Sequence, residues 1–118
     1  MITIYHNPRC SKSREALALA EQYSSEHQLK LEVVDYQKTP LTLAQLKTLH
    51  KQLGGPVSAM VRDNEAEYAE LNLAQADDAT LLQALAAHPK LLQRPVVTYQ
   101  ERSVIARPPQ LFNDLMDT

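Results

Sequence analysis

The first 36 residues read strand, helix, strand, and that order restricts the fold more than any other property of the chain. Ile2-Thr3-Ile4-Tyr5 is a β-branched and aromatic run that fits a short buried strand. From Ser11 to about Tyr23, residues Ala16, Leu17, Ala20 and Tyr23 share one face at helical spacing, and Ser24-Ser25 marks the expected end. Leu31 to Tyr36, centred on Val33-Val34, predicts a second strand. Two strands joined through a helix run parallel, with a right-handed crossover.

The middle of the chain changes character. Thr42-Leu43-Ala44-Gln45 matches a capping box, and Leu43, Leu46, Leu49 and Leu53 form one helical stripe behind it. Gly54-Gly55-Pro56 stops that helix, with a glycine free to take the left-handed cap. These are the only two glycines in the chain, so no glycine-rich phosphate loop can be built. Residues 57–93 show no strand alternation and read as mostly helical. Val57 to Val61 predicts a short, turn-rich helix, and Asp78 is expected to cap a helix over Ala79–Ala87, shortly before Pro89. Asp77-Asp78 is accordingly read as capping rather than as an acid pair. No linker composition flanks this region, so it is expected to be a helical insertion, about 42–93, within one domain spanning 1–118.

Strand signals return at Val96-Val97-Thr98-Tyr99 and at Ser103-Val104-Ile105-Ala106, with Gln100-Glu101-Arg102 as the turn between them. This predicts an antiparallel hairpin with a longer turn. Pro108-Pro109 stands where a last helix can start, with Leu111, Phe112, Leu115 and Met116 as its buried face. The whole order predicts an α/β protein with a thioredoxin-like mixed sheet: a βαβ unit and a ββα unit with a helical insertion between them. In that fold the reactive cysteine follows the first strand, where Cys10 stands, and a proline, often cis, precedes the third strand, where Pro95 stands.

Cys10 is the only cysteine, which rules out an intramolecular disulfide and suits a reducing compartment. The opening Met1-Ile2-Thr3-Ile4 has neither the charged nor the apolar segment of a secretion signal, and no apolar run approaches the roughly 18 residues of a membrane span. The expected location is cytoplasmic, with no membrane partner. A net charge of -2 gives no global basic field for nucleic acid. One cysteine and scattered histidines (His27, His50 and His88 besides His6) offer no metal-ligand spacing.

A thiol at a strand-to-helix junction meets unpaired backbone N–H groups and the positive end of the helix dipole. Arg9, Lys12 and Arg14 add positive charge. Both effects favour the thiolate, which is the nucleophilic form. The local pattern is Cys10-Ser11-Lys12-Ser13, so the second cysteine of a Cys-x-x-Cys motif is replaced by serine and an outside thiol must resolve Cys10. Ser13 either hydrogen-bonds the thiolate or simply starts the helix. His6, four residues before Cys10, either tunes the thiol or is an exposed turn residue. Arg62, Arg94 and Arg107 are either three unrelated surface residues or a convergent set whose guanidinium forks suit a tetrahedral oxyanion. Arg94 and Arg107 each precede a proline and bracket the hairpin.

Ile4-Tyr5-His6-Asn7-Pro8-Arg9-Cys10-Ser11-Lys12-Ser13-Arg14 resembles the opening of the glutaredoxin-coupled arsenate reductases, the ArsC family. Val61-Arg62-Asp63-Asn64, His88-Pro89-Lys90-Leu91-Leu92-Gln93-Arg94-Pro95 and Ala106-Arg107-Pro108 resemble further family segments, in family order. The resemblance implies reduction of arsenate to arsenite, with glutathione as co-substrate, glutaredoxin as partner and no tightly bound cofactor or metal. It implies that Cys10 is the nucleophile that bonds arsenic and that Arg62, Arg94 and Arg107 hold the oxyanion. It gives His6 an influence on thiol ionisation and makes Ser13 and Arg14 part of the active-site helix start. The best-known resistance enzymes read Cys-Gly-Thr-Ser-Arg where this chain has Cys10-Ser11-Lys12-Ser13-Arg14. The alternatives are an Spx-like, non-catalytic regulatory or interaction protein on the same fold, and a related thiol-transfer oxidoreductase with another substrate. A phosphatase-like Cys-x5-Arg site is excluded, because position 16 is Ala16.

Overall fold

A computed structural model describes residues 1–116. Main-chain contacts divide the chain into two compact units, Met1–Thr39 together with the chain from Arg94 onward, and Pro40–Gln93.

The first unit carries the sheet. Strand β1 (Ile2–His6) pairs in parallel with β2 (Leu31–Asp35) and antiparallel with β3 (Val96–Tyr99), which pairs antiparallel with β4 (Arg102–Ile105). The spatial order is therefore β2-β1-β3-β4, the thioredoxin-like arrangement of a βαβ unit joined to a ββα unit. Ile2, Ile4 and His6 alternate onto one buried face of β1. Helix α1 (Ser11–His27) packs on β1, and α5 (Leu111–Met116) packs on β3, β4 and α1. Ile2 and Ile4 meet Ala16 and Ala20 of α1, Val97 of β3, and Phe112, Leu115 and Met116 of α5. The alanines let α1 lie close to the strands. Phe112 fills the space beside them and meets the Tyr23 ring edge-on, with centroids 5.9 Å apart.

Two boundaries differ from expectation. Ser24-Ser25 does not end α1. The buried Ser24 hydroxyl donates to Glu21 O (3.0 Å), which satisfies it inside the helix. The chain leaves the helix only at Gln28, which takes the left-handed conformation (φ 55°), and the N–H groups of Gln28 and Leu29 both return to Ser24 O. The hairpin turn is also shorter than expected. Tyr99 pairs with Arg102, which leaves Gln100 and Glu101 as the whole loop, with φ of 52° and 65°. Two consecutive positive φ values match the right-handed twist of the flanking strands, although neither residue is one of the usual glycine or asparagine choices. Strand β4 consequently starts at Arg102 and ends at Ile105, while Ala106 follows it and donates its N–H to Pro95 O (2.9 Å).

The second unit is helical. Helix α2 (Leu43–Leu53) opens on the capping box: Thr42 Oγ1 accepts the Gln45 N–H (3.1 Å), and the Gln45 side chain accepts the Thr42 N–H (2.9 Å). It closes on Gly54 at φ 77°. Helix α3 (Ala66–Glu70) is a short turn, and α4 (Asp78–Ala87) packs against α2. Leu46 and Leu49 of α2 and Leu81 and Leu85 of α4 are buried. The cap of α4 is Asp77 rather than Asp78, since it is the Asp77 carboxylate that accepts the Thr80 N–H (2.8 Å). Hydrogen bonds from the Thr80 side chain and from its N–H hold the Asp77 carboxyl below its ordinary pKa. Val57–Met60 forms a 3-10 turn, after which Val61 makes one antiparallel bridge to Leu92. Among the described residues, no helix is long and apolar enough to cross a membrane.

Candidate active site

The loop before Cys10 is a turn written in its own residues. The Asn7 carbonyl accepts the Cys10 N–H (3.0 Å), and the Asn7 side chain accepts the Arg9 N–H (3.0 Å). Asparagine at the first position and proline at the second are the residues such a turn favours. The turn ends with Cys10 as the N-cap of α1, extended at φ -99° and ψ 125°, with its carbonyl accepting the Arg14 N–H (3.0 Å). The thiol therefore stands at the open first turn of a 17-residue helix.

His6 is not an exposed turn residue. It is the last residue of β1, 7% exposed, and its Nδ1 lies 2.7 Å from Ser13 Oγ. Ser13 is fully buried, and its hydroxyl also accepts the Asn7 N–H (2.9 Å). The Ser13 hydroxyl thus ties the strand end to the helix start, and it is the Ser13 backbone N–H that acts on the sulfur. Arg14 straps the loop from outside, donating Nη1 to Pro8 O (3.0 Å).

Two of the three arginines meet at the sulfur. Arg107 Nη1 lies 3.8 Å from Cys10 Sγ and donates to Arg94 O (3.1 Å). The Arg94 guanidinium favours the thiolate form of the sulfur, and its Nε and Nη1 are buried without a hydrogen-bond partner among the described residues. The Arg94–Pro95 and Arg107–Pro108 peptides are both cis. Arg62 belongs to the helical unit, where its guanidinium pairs with Glu65 and its N–H donates to Leu91 O (2.7 Å).

The Cys10 thiol is only partly exposed, and burial pushes its pKa up. The Ser13 N–H, the Arg94 guanidinium through both hydrogen bond and charge, and the Lys12 N–H push it down and prevail, so it lies below its ordinary value. The sulfur closes no side-chain cap bond of its own. The first-turn N–H groups act on it as oriented dipoles, as at other helix N-termini. His6 is held below its ordinary pKa, chiefly by burial and also by the Arg14 charge. Asp35, Ser13 and Glu21 act the other way without prevailing. The shift favours the neutral imidazole, which shares a hydrogen bond with the Ser13 hydroxyl through Nδ1.

A thiol whose ionisation is favoured, beside Arg94 nitrogens with no partner among the described residues, is suited to attack a tetrahedral oxyanion held by those nitrogens. Among the described residues, no three His, Cys, Asp or Glu side chains gather as metal ligands. Asn7, at the turn expected over His6-Asn7-Pro8, was not among the candidate site residues, yet its carbonyl and side chain build the turn that places the thiol. The Asn-Pro pair was the available signal.

Known proteins agree with this architecture. The ArsC family matches residues 5–115. An arsenate reductase of Neisseria meningitidis is 43% identical over 110 residues, 91% of each chain. One from Haemophilus influenzae is 35% identical over 118 residues, 98% of each chain. The solved structure of an arsenate reductase from Vibrio cholerae superposes with a TM-score of 0.86 at 41% identity, covering 96% of this chain and 95% of that one. A match that runs from Tyr5 through the cysteine turn and both arginine–proline segments makes the chain a member of the ArsC family.

Proposed function

We propose that this protein reduces arsenate to arsenite, using glutathione and glutaredoxin as the source of electrons. The observation that carries the reading is the Cys10 sulfur, activated by Arg94 and the first turn of α1, with Arg107 Nη1 beside it. A thiolate approaching an anion meets charge repulsion, and fixed guanidinium and N–H donors offset it.

In this reading the Cys10 thiolate attacks arsenic, and one arsenic oxygen departs as water or hydroxide after taking up a proton. Arsenic remains As(V). The thiol of glutathione then replaces a second oxygen, which leaves as water, and arsenic is still As(V). A glutaredoxin thiolate attacks the glutathione sulfur. The sulfur–arsenic electron pair passes to arsenic, giving As(III), and a glutaredoxin–glutathione mixed disulfide forms. Hydrolysis of the remaining sulfur–arsenic bond frees arsenite and the Cys10 thiol. Arg94, Arg107 and Arg62 hold the oxyanion through these steps. The role of Arg62 rests on the family resemblance, and those of Arg94 and Arg107 rest also on their contacts with the sulfur. His6, Ser13 and Arg14 position the thiol. The external thiol is required because the chain has no second cysteine.

The relatives described above bear the name of a reductase, which does not favour a regulatory role on this fold. Purified protein supplied with arsenate, glutathione, glutaredoxin and a reductant for them is expected to form arsenite, and Cys10→Ser to form none. Failure of the wild-type protein to turn over with several thiol donors would remove the activity.

A further inference from the structure

We propose that a polar cavity bordered by the turn before Cys10 and the turn after β2 is the docking site for a carboxylate of the thiol co-substrate, with Arg9 and Lys38 as its anchors. The inference rests on the glutathione-dependent reading and extends it to the place where that thiol binds. The cavity, of about 310 Å³, is lined by Asn7, Pro8, Arg9, Asp35, Gln37 and Lys38. That volume is at the small end of ligand sites, which start near roughly 300 Å³.

The sheet itself makes the cavity. The parallel register pairs His6 with Asp35, so the chain leaves β1 and β2 side by side at the same end. Each exit is then fixed by the same local device. The Asn7 side chain accepts the Arg9 N–H, and the Asp35 carboxylate accepts the N–H of Gln37 (3.1 Å) and of Lys38 (3.3 Å). Side-chain bonds to the backbone two or three residues ahead hold such turns in one conformation. The backbones carrying Arg9 and Lys38 are therefore set before any ligand arrives.

The charges fit one ligand class. Arg9 and Lys38 are exposed, and neither forms an ion pair among the described residues. With Asp35 as the one carboxylate of the lining, the cavity carries two cations and one anion. Glutathione carries two carboxylates and one ammonium, the complementary set. A neutral small thiol has nothing to offer these groups. Arg9 is also the residue immediately before Cys10. A thiol tethered at Arg9 by a carboxylate a few bonds from its sulfur is held within reach of arsenic on Cys10, and such tethering converts an encounter between molecules into a local one.

The test pairs a binding measurement with kinetics. S-methylglutathione, which cannot react, is titrated into the Cys10→Ser protein and followed through backbone amide shifts. Expected are shifts at Asn7, Arg9, Gln37 and Lys38, and a Kd at least about tenfold weaker in the Arg9→Glu, Lys38→Glu double variant, a change of about 1.4 kcal/mol. S-methylglutathione diethyl ester, with both carboxylates neutralised, is expected to bind both proteins equally weakly. In turnover, the double variant is expected to raise KM for glutathione by a similar factor and KM for arsenate by a smaller one, the part owed to the charge lost beside Cys10. Unchanged binding of S-methylglutathione by the double variant overturns the inference, as does an equal rise in both KM values. Because the titration needs no arsenate, a protein that binds S-methylglutathione here but does not reduce arsenate would uphold the site while refuting the activity.

Discussion

Arg107 Nη1 stands 3.8 Å from Cys10 Sγ across a separation of 97 residues. The same nitrogen donates to the main chain of Arg94, so the guanidinium cannot leave the sulfur without also giving up the carbonyl of its neighbouring arginine. The thiol, both cis proline peptides and two arginines are thus built into one end of the sheet unit.

Removing Arg94 is expected to raise the Cys10 pKa, because its side chain supplies both a hydrogen bond and a charge to the thiolate. In Arg94→Ala the midpoint of alkylation by iodoacetamide should move to higher pH, and arsenate kcat/KM should fall about 10²–10³-fold, the usual cost of a lost oxyanion donor. Arg94→Lys should restore the midpoint only in part, since an ammonium lacks the planar fork. An unchanged midpoint in Arg94→Ala would break the link between that arginine and the thiolate.

The activated thiol also makes stability depend on pH. The folded thiol titrates below the unfolded one, which lies near about 8.5, so between these values the unfolded chain binds more protons. The stabilisation is complete above about 8.5 and is lost as pH falls through the folded value. Wild type is therefore expected to gain stability over Cys10→Ser as pH rises toward about 8.5. Urea denaturation of both proteins across that range measures it, and a difference that shrinks with pH contradicts it.

Ser13→Ala should destabilise the protein by about 1–3 kcal/mol, because two buried partners lose their bond at once. Those partners are the Asn7 N–H and His6 Nδ1. A loss under about 0.5 kcal/mol in urea would show that neither bond matters to the fold.

His6 gives a second pH effect with a different window. Its folded pKa is lowered, chiefly by burial, from an unfolded value near about 6.5. Its contribution is complete above about 6.5 and declines as pH falls from there toward the folded value, because the unfolded chain takes up the proton first. Between about pH 7.5 and 5, wild type should lose more stability than His6→Gln, as read from urea midpoints. Equal losses would place the imidazole outside the acid response.

The two glycines should respond differently. A Cβ on either meets no atom within 4 Å, but Gly54 sits at φ 77°. Gly54→Ala should cost about 1 kcal/mol, from the left-handed backbone alone. Gly55→Ala should stay within about 0.5 kcal/mol of wild type. Equal costs, read from thermal unfolding, would show that the cap conformation is not what the first glycine provides.

How far these features could be read beforehand follows their range along the chain. The capping box at Thr42, the left-handed stop at Gly54 and the Ala16–Ala20 face are local patterns, and each stands where the residues put it. The Gln100-Glu101 turn was hidden because neither residue advertises a positive φ; the pairing of Tyr99 with Arg102 imposes it. Asp77 and Asp78 are chemically equivalent caps, and only the structure shows that the Thr80 N–H goes to Asp77.

Residue order alone specifies which segments become strands and helices, where the thiol falls between the first two, and that no second cysteine can complete a disulfide, because propensity, periodicity and turn chemistry act over a few neighbours. It leaves open that Arg94 and Arg107 converge on Cys10 and that the Ser13 hydroxyl faces His6 rather than the sulfur. Those facts come from the pairing of β1 with β3 and of β3 with β4, and from the seating of α1 on the sheet. Such pairings join segments far apart in the chain, and their register has no signature in any short window of residues.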